Sequence, residues 1–147
     1  MDPNLQYAPL NILLADDDAD DRLFFYKALK EIPIATNLTM VYDGEQLMNY
    51  LNENSEHLPD ILFLDINMPR MNGIECLSEI NGNKKLKDLT VIIFTISFTS
   101  NFTPIEMNLK NMLSKMGTSD FIRKSNDLAK LKLVIHNALL RVIQKRA

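Results

Sequence analysis

Three short apolar runs punctuate the chain, and each stops at an acid or a hydroxyl. They are Asn11-Ile12-Leu13-Leu14-Ala15 before Asp16-Asp17, Ile61-Leu62-Phe63-Leu64 before Asp65, and Val91-Ile92-Ile93-Phe94 before Thr95. Continuous apolar runs of this length fit strands buried on both faces, as in a parallel sheet. Leu38, Met40 and Tyr42 alternate with Thr39 and Val41 and predict a further strand, and Asp120-Phe121-Ile122-Arg123-Lys124 predicts a short one.

Helical spacing fills the intervals. Leu23, Phe24, Ala28 and Ile32 mark one face of a segment that starts near Asp20 and ends at Pro33. Leu47, Met48 and Leu51 mark a second segment after Gly44, and Ile74, Leu77 and Ile80 a third, closed by Gly82. Ile105, Leu109, Met112, Leu113 and Met116 mark a fourth, opened by Thr103-Pro104 and closed at Gly117. Leu128, Leu131, Ile135, Ala138 and Val142 mark a fifth, with Asn126 as its predicted N-cap. These stripes are read as core-facing, because a single apolar stripe ordinarily packs on the body of its own domain.

The order is βα repeated five times. Such alternation predicts an α/β fold: a doubly wound, flavodoxin-like parallel sheet of five strands, order 2-1-3-4-5, with helices on both faces. Ligands of such folds sit at the carboxyl ends of the strands. That places the candidate chemistry at Asp16, Asp17, Asp65, Thr95 and Lys124.

Composition narrows the classes. The 147 residues fit one domain, with 46% hydrophobic and 24% charged residues, so a core can form without staples. The 16 Lys and Arg against 19 Asp and Glu give a net charge of −3 with no basic block, which disfavours binding to nucleic acid phosphates. No apolar run approaches a membrane span, and Met1-Asp2-Pro3-Asn4 has no signal-peptide character. A cytoplasmic setting is the default expectation. The single cysteine, Cys76, allows no internal disulfide.

Strands one and three are neighbours in the predicted sheet, so Asp16, Asp17 and Asp65 converge. Carboxylates that close raise one another's pKa unless a cation sits among them, and hard oxygen ligands suit Mg²⁺ better than zinc. Asp18, Asp20 and Asp21 are read differently, as solvated acids at a helix start, where the dipole favours them. An EF-hand is excluded, because Asp21 stands where that loop needs glycine and Lys27 where it needs glutamate. Lys124 can hold an anion above the carboxylates, and Thr95 offers that anion a hydroxyl.

With Ile12-Leu13-Leu14-Ala15-Asp16-Asp17-Asp18, the run Asp65-Ile66-Asn67-Met68-Pro69-Arg70-Met71-Asn72-Gly73, Val91 to Thr95 and Phe121-Ile122-Arg123-Lys124 in place, the chain resembles the receiver domain of two-component response regulators, the stand-alone chemotaxis type in particular. The resemblance spans about Asn11 to Val142. It implies that Asp65 accepts a phosphoryl group, that Asp16, Asp17, Asp65 and the backbone carbonyl of Asn67 hold Mg²⁺, and that Thr95 and Lys124 contact the phosphoryl oxygens. Thr95 and Phe121 match the switch positions. The implied donor is a histidine kinase or a histidine phosphotransfer protein. The implied output is binding of a downstream protein, with no nucleic acid and no membrane involved. On this reading residues 1–10 are an N-terminal extension and 11–147 a receiver domain with no output domain, a signalling module and not an enzyme.

The sequence departs from the family pattern in three places. Ile96 follows Thr95 where a small residue is usual, and it should slow small phosphodonors. Ser125 follows Lys124 where a cis-proline is usual, so a trans bond or a strained loop is expected. The segment 97–103, with Phe98 and Phe102, is longer than the usual link and is read as a tolerated insertion. Two other functions compete. These departures motivate a receiver-like scaffold that works without phosphate. A Mg²⁺-dependent phosphatase of the haloacid dehalogenase type is disfavoured, because Asn67 stands where its general acid would be.

Overall fold

The structure is a computed structural model and describes residues 8–95 and 104–146. Strands β1 (Leu10–Ala15), β2 (Thr36–Val41), β3 (Ile61–Leu64), β4 (Val91–Thr95) and β5 (Asp120–Arg123) alternate with helices α1 (Ala19–Lys30), α2 (Gly44–Glu53), α3 (Gly73–Asn81), α4 (Pro104–Lys115) and α5 (Leu128–Arg146). All neighbouring strands are parallel, in the order β2-β1-β3-β4-β5. The doubly wound expectation holds, and β1 starts at Leu10, one residue ahead of the apolar run that predicts it.

The two-residue period of a strand sorts the apolar runs onto two faces. Leu10, Ile12 and Leu14 of β1, Ile61 and Phe63 of β3, and Ile92 and Phe94 of β4 pack with Phe25, Ala28 and Leu29 of α1 and Leu131, Ile135 and Leu139 of α5. The alternate residues Leu13, Ala15, Leu62, Leu64, Val91 and Ile93 pack with Leu47 and Leu51 of α2, Leu77 and Ile80 of α3, and Leu113 of α4. Full burial of each such side chain stabilises the fold by roughly 1.5–3 kcal/mol.

Helix starts are closed by acids and amides. Asp18 accepts from the Asp21 amide at 3.0 Å, Asp43 from Gln46 at 2.8 Å, and Asn72 from Glu75 at 2.9 Å within a capping box. Each such cap is worth about 1 kcal/mol.

Three expectations from the sequence need correction here. Helical spacing puts Leu23 on the buried face of α1, but it is 51% exposed, and Phe25 is fully buried in its place. Leu23-Phe24-Phe25 are all apolar, so two stripes are open, and packing against α5 and the sheet selects the one through Phe25, Ala28, Leu29 and Ile32. Met112 on α4 is likewise exposed beside buried Leu113. Asn126 does not cap α5. Asp127 does, accepting from the Lys130 amide at 3.2 Å, while the Asp127 amide donates to Ser125 Oγ at 3.0 Å. Ile96, the segment 97–103 with its Thr103 cap, and the side chains of Ile105 and Leu109 lie outside the described residues.

Candidate functional site

Register brings the site together. Ala15 pairs with Leu64 across β1 and β3, so the next residues, Asp16 and Asp65, emerge side by side at the carboxyl edge of the sheet. The Asp65 amide donates to the Ala15 carbonyl at 2.9 Å, and the Asp16 amide to the Val41 carbonyl at 3.1 Å. On the other flank Thr95 pairs with Arg123, and the Lys124 amide donates to the Thr95 carbonyl at 3.0 Å. The ladder thus extends one residue past the strands and fixes where each side chain starts.

Carboxylate oxygens of Asp16, Asp17 and Asp65 lie within 4.8 Å of one another. Asp16 and Asp65 are buried and Asp17 is exposed, so the group opens to solvent on one side. Lys124 Nζ stands 2.8 Å from Asp16 Oδ2, 2.9 Å from Asp21 Oδ2 and 3.2 Å from Asp65 Oδ2. Its Nζ lies over the Phe94 ring, 5.4 Å from the ring centre. Asp65 Oδ1 accepts from the Asn67 amide at 3.1 Å, and Asp16 Oδ1 from the Asp18 amide at 3.0 Å.

One ammonium does not balance these charges. Burial, reinforced by the Asp16 charge, pushes the Asp65 carboxyl up to about 6 despite Lys124. Burial also raises Asp16. Burial opposes the Lys124 charge, but close contact with the Asp16 and Asp21 carboxylates and the nearby Asp65 charge outweigh it and hold the ammonium above its ordinary value. Asp16 Oδ2 is fully buried and meets Lys124 outside hydrogen-bond geometry, so it keeps unused acceptor capacity. Three hard oxygen donors, two of them from buried carboxylates and one with unused acceptor capacity, fit a divalent cation.

The loop after β3 is held tightly beneath this group. The Gly73 amide donates to the Ile66 carbonyl at 2.8 Å. A Cβ on Gly73 would stand 2.5 Å from the Asp65 carbonyl oxygen, so only glycine lets α3 start this close to Asp65. A Cβ on Gly44 would strike the Met71 carbonyl oxygen. Between them Arg70 adopts φ 67°, a left-handed conformation for a non-glycine residue, with its guanidinium 3.6 Å from Asp43 and 3.5 Å from Glu45.

Thr95 is fully buried at the end of β4. Phe121 is half-buried against the α2–α4 layer, with Lys110 Nζ of α4 5.5 Å from its ring centre. The side chain of Asn67 is exposed, and its backbone carries its contact with Asp65. The Lys124–Ser125 bond is trans, since no cis peptide occurs among the described residues, and Lys124 still reaches both Asp16 and Asp65. Cys76 is buried, donates to the Gly44 carbonyl, and has its thiol pushed by burial up to about 12, the environment of an inert thiol.

Two participants escape the sequence reading. Asp21, expected among the solvated acids, is an ion partner of Lys124. Arg22 donates from Nη1 to the Asp16 carbonyl at 2.8 Å and lies 4.1 Å above the Tyr42 ring. The available signal was position: both sit in the first turn of α1, which starts three residues after Asp16.

Residues 12–136 match the family model described as the response regulator receiver domain. Response regulator Rcp1 of Synechocystis is 33% identical over 93 residues, covering 60% of this chain and 63% of Rcp1. The Mn²⁺-bound structure of Rcp1 superposes with a TM-score of 0.72 at 26% identity, over 88% of this chain and 91% of that one. The phosphorylated cyanobacterial phytochrome response regulator RcpA superposes with a TM-score of 0.75 at 25% identity, over 89% and 91%. The regA cyclic-nucleotide phosphodiesterase of Dictyostelium discoideum is 29% identical over 96% of this chain but only 17% of its own length. The chain therefore spans less than two thirds of these two curated relatives. Among the described residues no helix is long and apolar enough to cross a membrane.

Proposed function

The chain belongs to the response regulator receiver domain family, and from that premise we propose that it accepts a phosphoryl group on Asp65 and signals by binding a protein. One observation carries this reading: Asp65 shares the Lys124 ammonium with Asp16, and its carboxylate lies within 4.8 Å of those of Asp16 and Asp17. Rcp1 with Mn²⁺ and phosphorylated RcpA support it by similarity.

A carboxylate oxygen of Asp65 attacks phosphorus in line. The new O–P bond forms as the P–N bond of a donor phosphohistidine breaks, and the electron pair leaves on the imidazole nitrogen. The transferring group spreads charge over its equatorial oxygens. Lys124 neutralises part of that charge, and the Thr95 hydroxyl donates to it. Asp16, Asp17, Asp65 and the Asn67 carbonyl would hold Mg²⁺, which would supply the remaining neutralisation. The Asn67 amide orients the attacking carboxylate by holding Oδ1. The acyl phosphate adds charge and acceptor oxygens at the strand ends. Thr95 moves toward them and Phe121 follows, altering the face of α4, β5 and α5.

The donor is a histidine kinase or phosphotransfer protein, the readout is a downstream protein, and the setting is cytoplasmic. Neither nucleic acid nor membrane takes part, and the chain catalyses no turnover of its own. Incubation with acetyl phosphate and Mg²⁺, followed by intact-mass analysis, is the test. Wild type gains the mass of one phosphoryl group and Asp65→Asn gains none. Modification that persists in Asp65→Asn removes Asp65 as the acceptor.

A further inference from the structure

Lys124 holds three carboxylates on one ammonium, and one of them lies outside the divalent-ion group. That third partner is Asp21, 2.9 Å away, closer than Asp65 at 3.2 Å. The cap of α1 uses only the Asp21 backbone amide, so its carboxylate is available to Lys124. Asp21 and Asp65 accept hydrogen bonds from this ammonium, and Asp16 Oδ2 stands 2.8 Å from it as an ion pair, so three carboxylates crowd its three donors. A phosphoryl oxygen arriving at Asp65 has to compete with them.

The partners differ in how easily they yield. The side chains of Asp16 and Asp65 are 0% and 5% exposed, and separation would strand a charge in the interior. Asp21 is 35% exposed, so water takes over when its contact breaks. A cavity of about 290 Å³, lined by Asp21, Phe24, Phe94, Lys124, Ser125 and Leu131, gives the pair room to part. The Asp21 charge also repels an incoming dianion. Competition for Lys124 and repulsion of the donor act in the same direction.

We propose that Asp21 is a positioning residue that holds Lys124 in the resting site, yields it to the phosphoryl group, and sets how strongly the site resists highly charged phosphodonors. The proposal rests on Asp65 being the acceptor. Asp21→Asn removes the charge and keeps the shape and the cap. It should speed modification by acetyl phosphate, a dianion, roughly fivefold at low salt, and speed phosphoramidate, which carries less charge, by a smaller factor. Asp21→Glu should restore the wild-type rate. Asp20→Asn, which removes the same charge one residue away, should change it less than twofold. In ¹H–¹⁵N spectra without phosphodonor, hydrogen exchange of the Lys124 ammonium should accelerate several-fold in Asp21→Asn alone.

An Asp21→Asn rate equal to or below wild type overturns the proposal. So does equal acceleration by Asp20→Asn, or unchanged ammonium exchange. If wild type itself gains no mass, the acceptor reading of Asp65 fails and takes the rate claim with it. The ammonium exchange then still decides whether Asp21 holds Lys124.

Discussion

Two clusters adjoin at the carboxyl end of the sheet and are built from the same strands. Phe25, Phe63 and Phe94 meet edge to face with centroids 5.0, 5.5 and 6.5 Å apart. Just above, Asp16, Asp21 and Asp65 crowd one Lys124, whose ammonium lies over the Phe94 ring. Phe63 lies two residues before Asp65, and Phe94 immediately precedes Thr95. The aromatic cluster is complete in itself, since every ring is buried against others. The ionic cluster is incomplete, with more buried negative charge than its lysine compensates. The contrast separates two duties. The rings stabilise the sheet ends, and the carboxylates hold an unfavourable arrangement on that rigid base, which the proposed ion and phosphoryl group would relieve.

The contrast breaks most severely if the rings are removed. Phe63→Ala should cost about 3–5 kcal/mol in chemical denaturation, by lost burial and a cavity beneath the site. The reverse sign is expected one layer up. With its pKa raised from 3.8 to about 6, Asp65 binds its proton more tightly folded than unfolded. Ionising it therefore opposes folding: its contribution is most favourable below the unfolded value and is lost as pH rises through the folded one. Without divalent ion at neutral pH, Asp65→Asn should then be more stable than wild type by about 2–3 kcal/mol. The advantage should fade toward acid, as a paired pH series of thermal melts would show, and Mg²⁺ should raise the melting temperature of wild type more than that of the variant.

The support beneath the acids gives a smaller effect. Gly73→Ala places a methyl against the Asp65 backbone and should cost about 1–3 kcal/mol while slowing modification at Asp65, measured by denaturation and mass analysis together. The smallest change relieves strain. Arg70→Gly should gain at most about 1 kcal/mol, because glycine accepts the left-handed conformation and the surface ion pairs it gives up are weak. A large loss there would mean that Arg70 holds the loop through Asp43 and Glu45.

Much of this is legible along the chain. The strands can be read because short apolar runs that end at acids suit buried parallel strands and little else. Asp16, Asp17 and Asp65 can be brought together because register follows from a parallel sheet of that order. Asp21 is not legible, because a first-turn acid is favoured by the helix dipole whether or not it touches anything. Phe25 is passed over for Leu23 because three consecutive apolar residues leave the phase of a helix undecided. Asn126 and Asp127 are both good caps, and one residue of chain geometry separates them.

Periodicity and polarity are local properties of the chain, so residue order was enough to establish the βα alternation, the depth of the central strands and the identity of the acids at their ends. Packing between elements was needed to choose the buried face of α1 and the residue that caps α5, and to seat Asp21 on Lys124 beside the buried pair. Those outcomes depend on distances between segments up to 103 positions apart, and on one ammonium having just three places to offer.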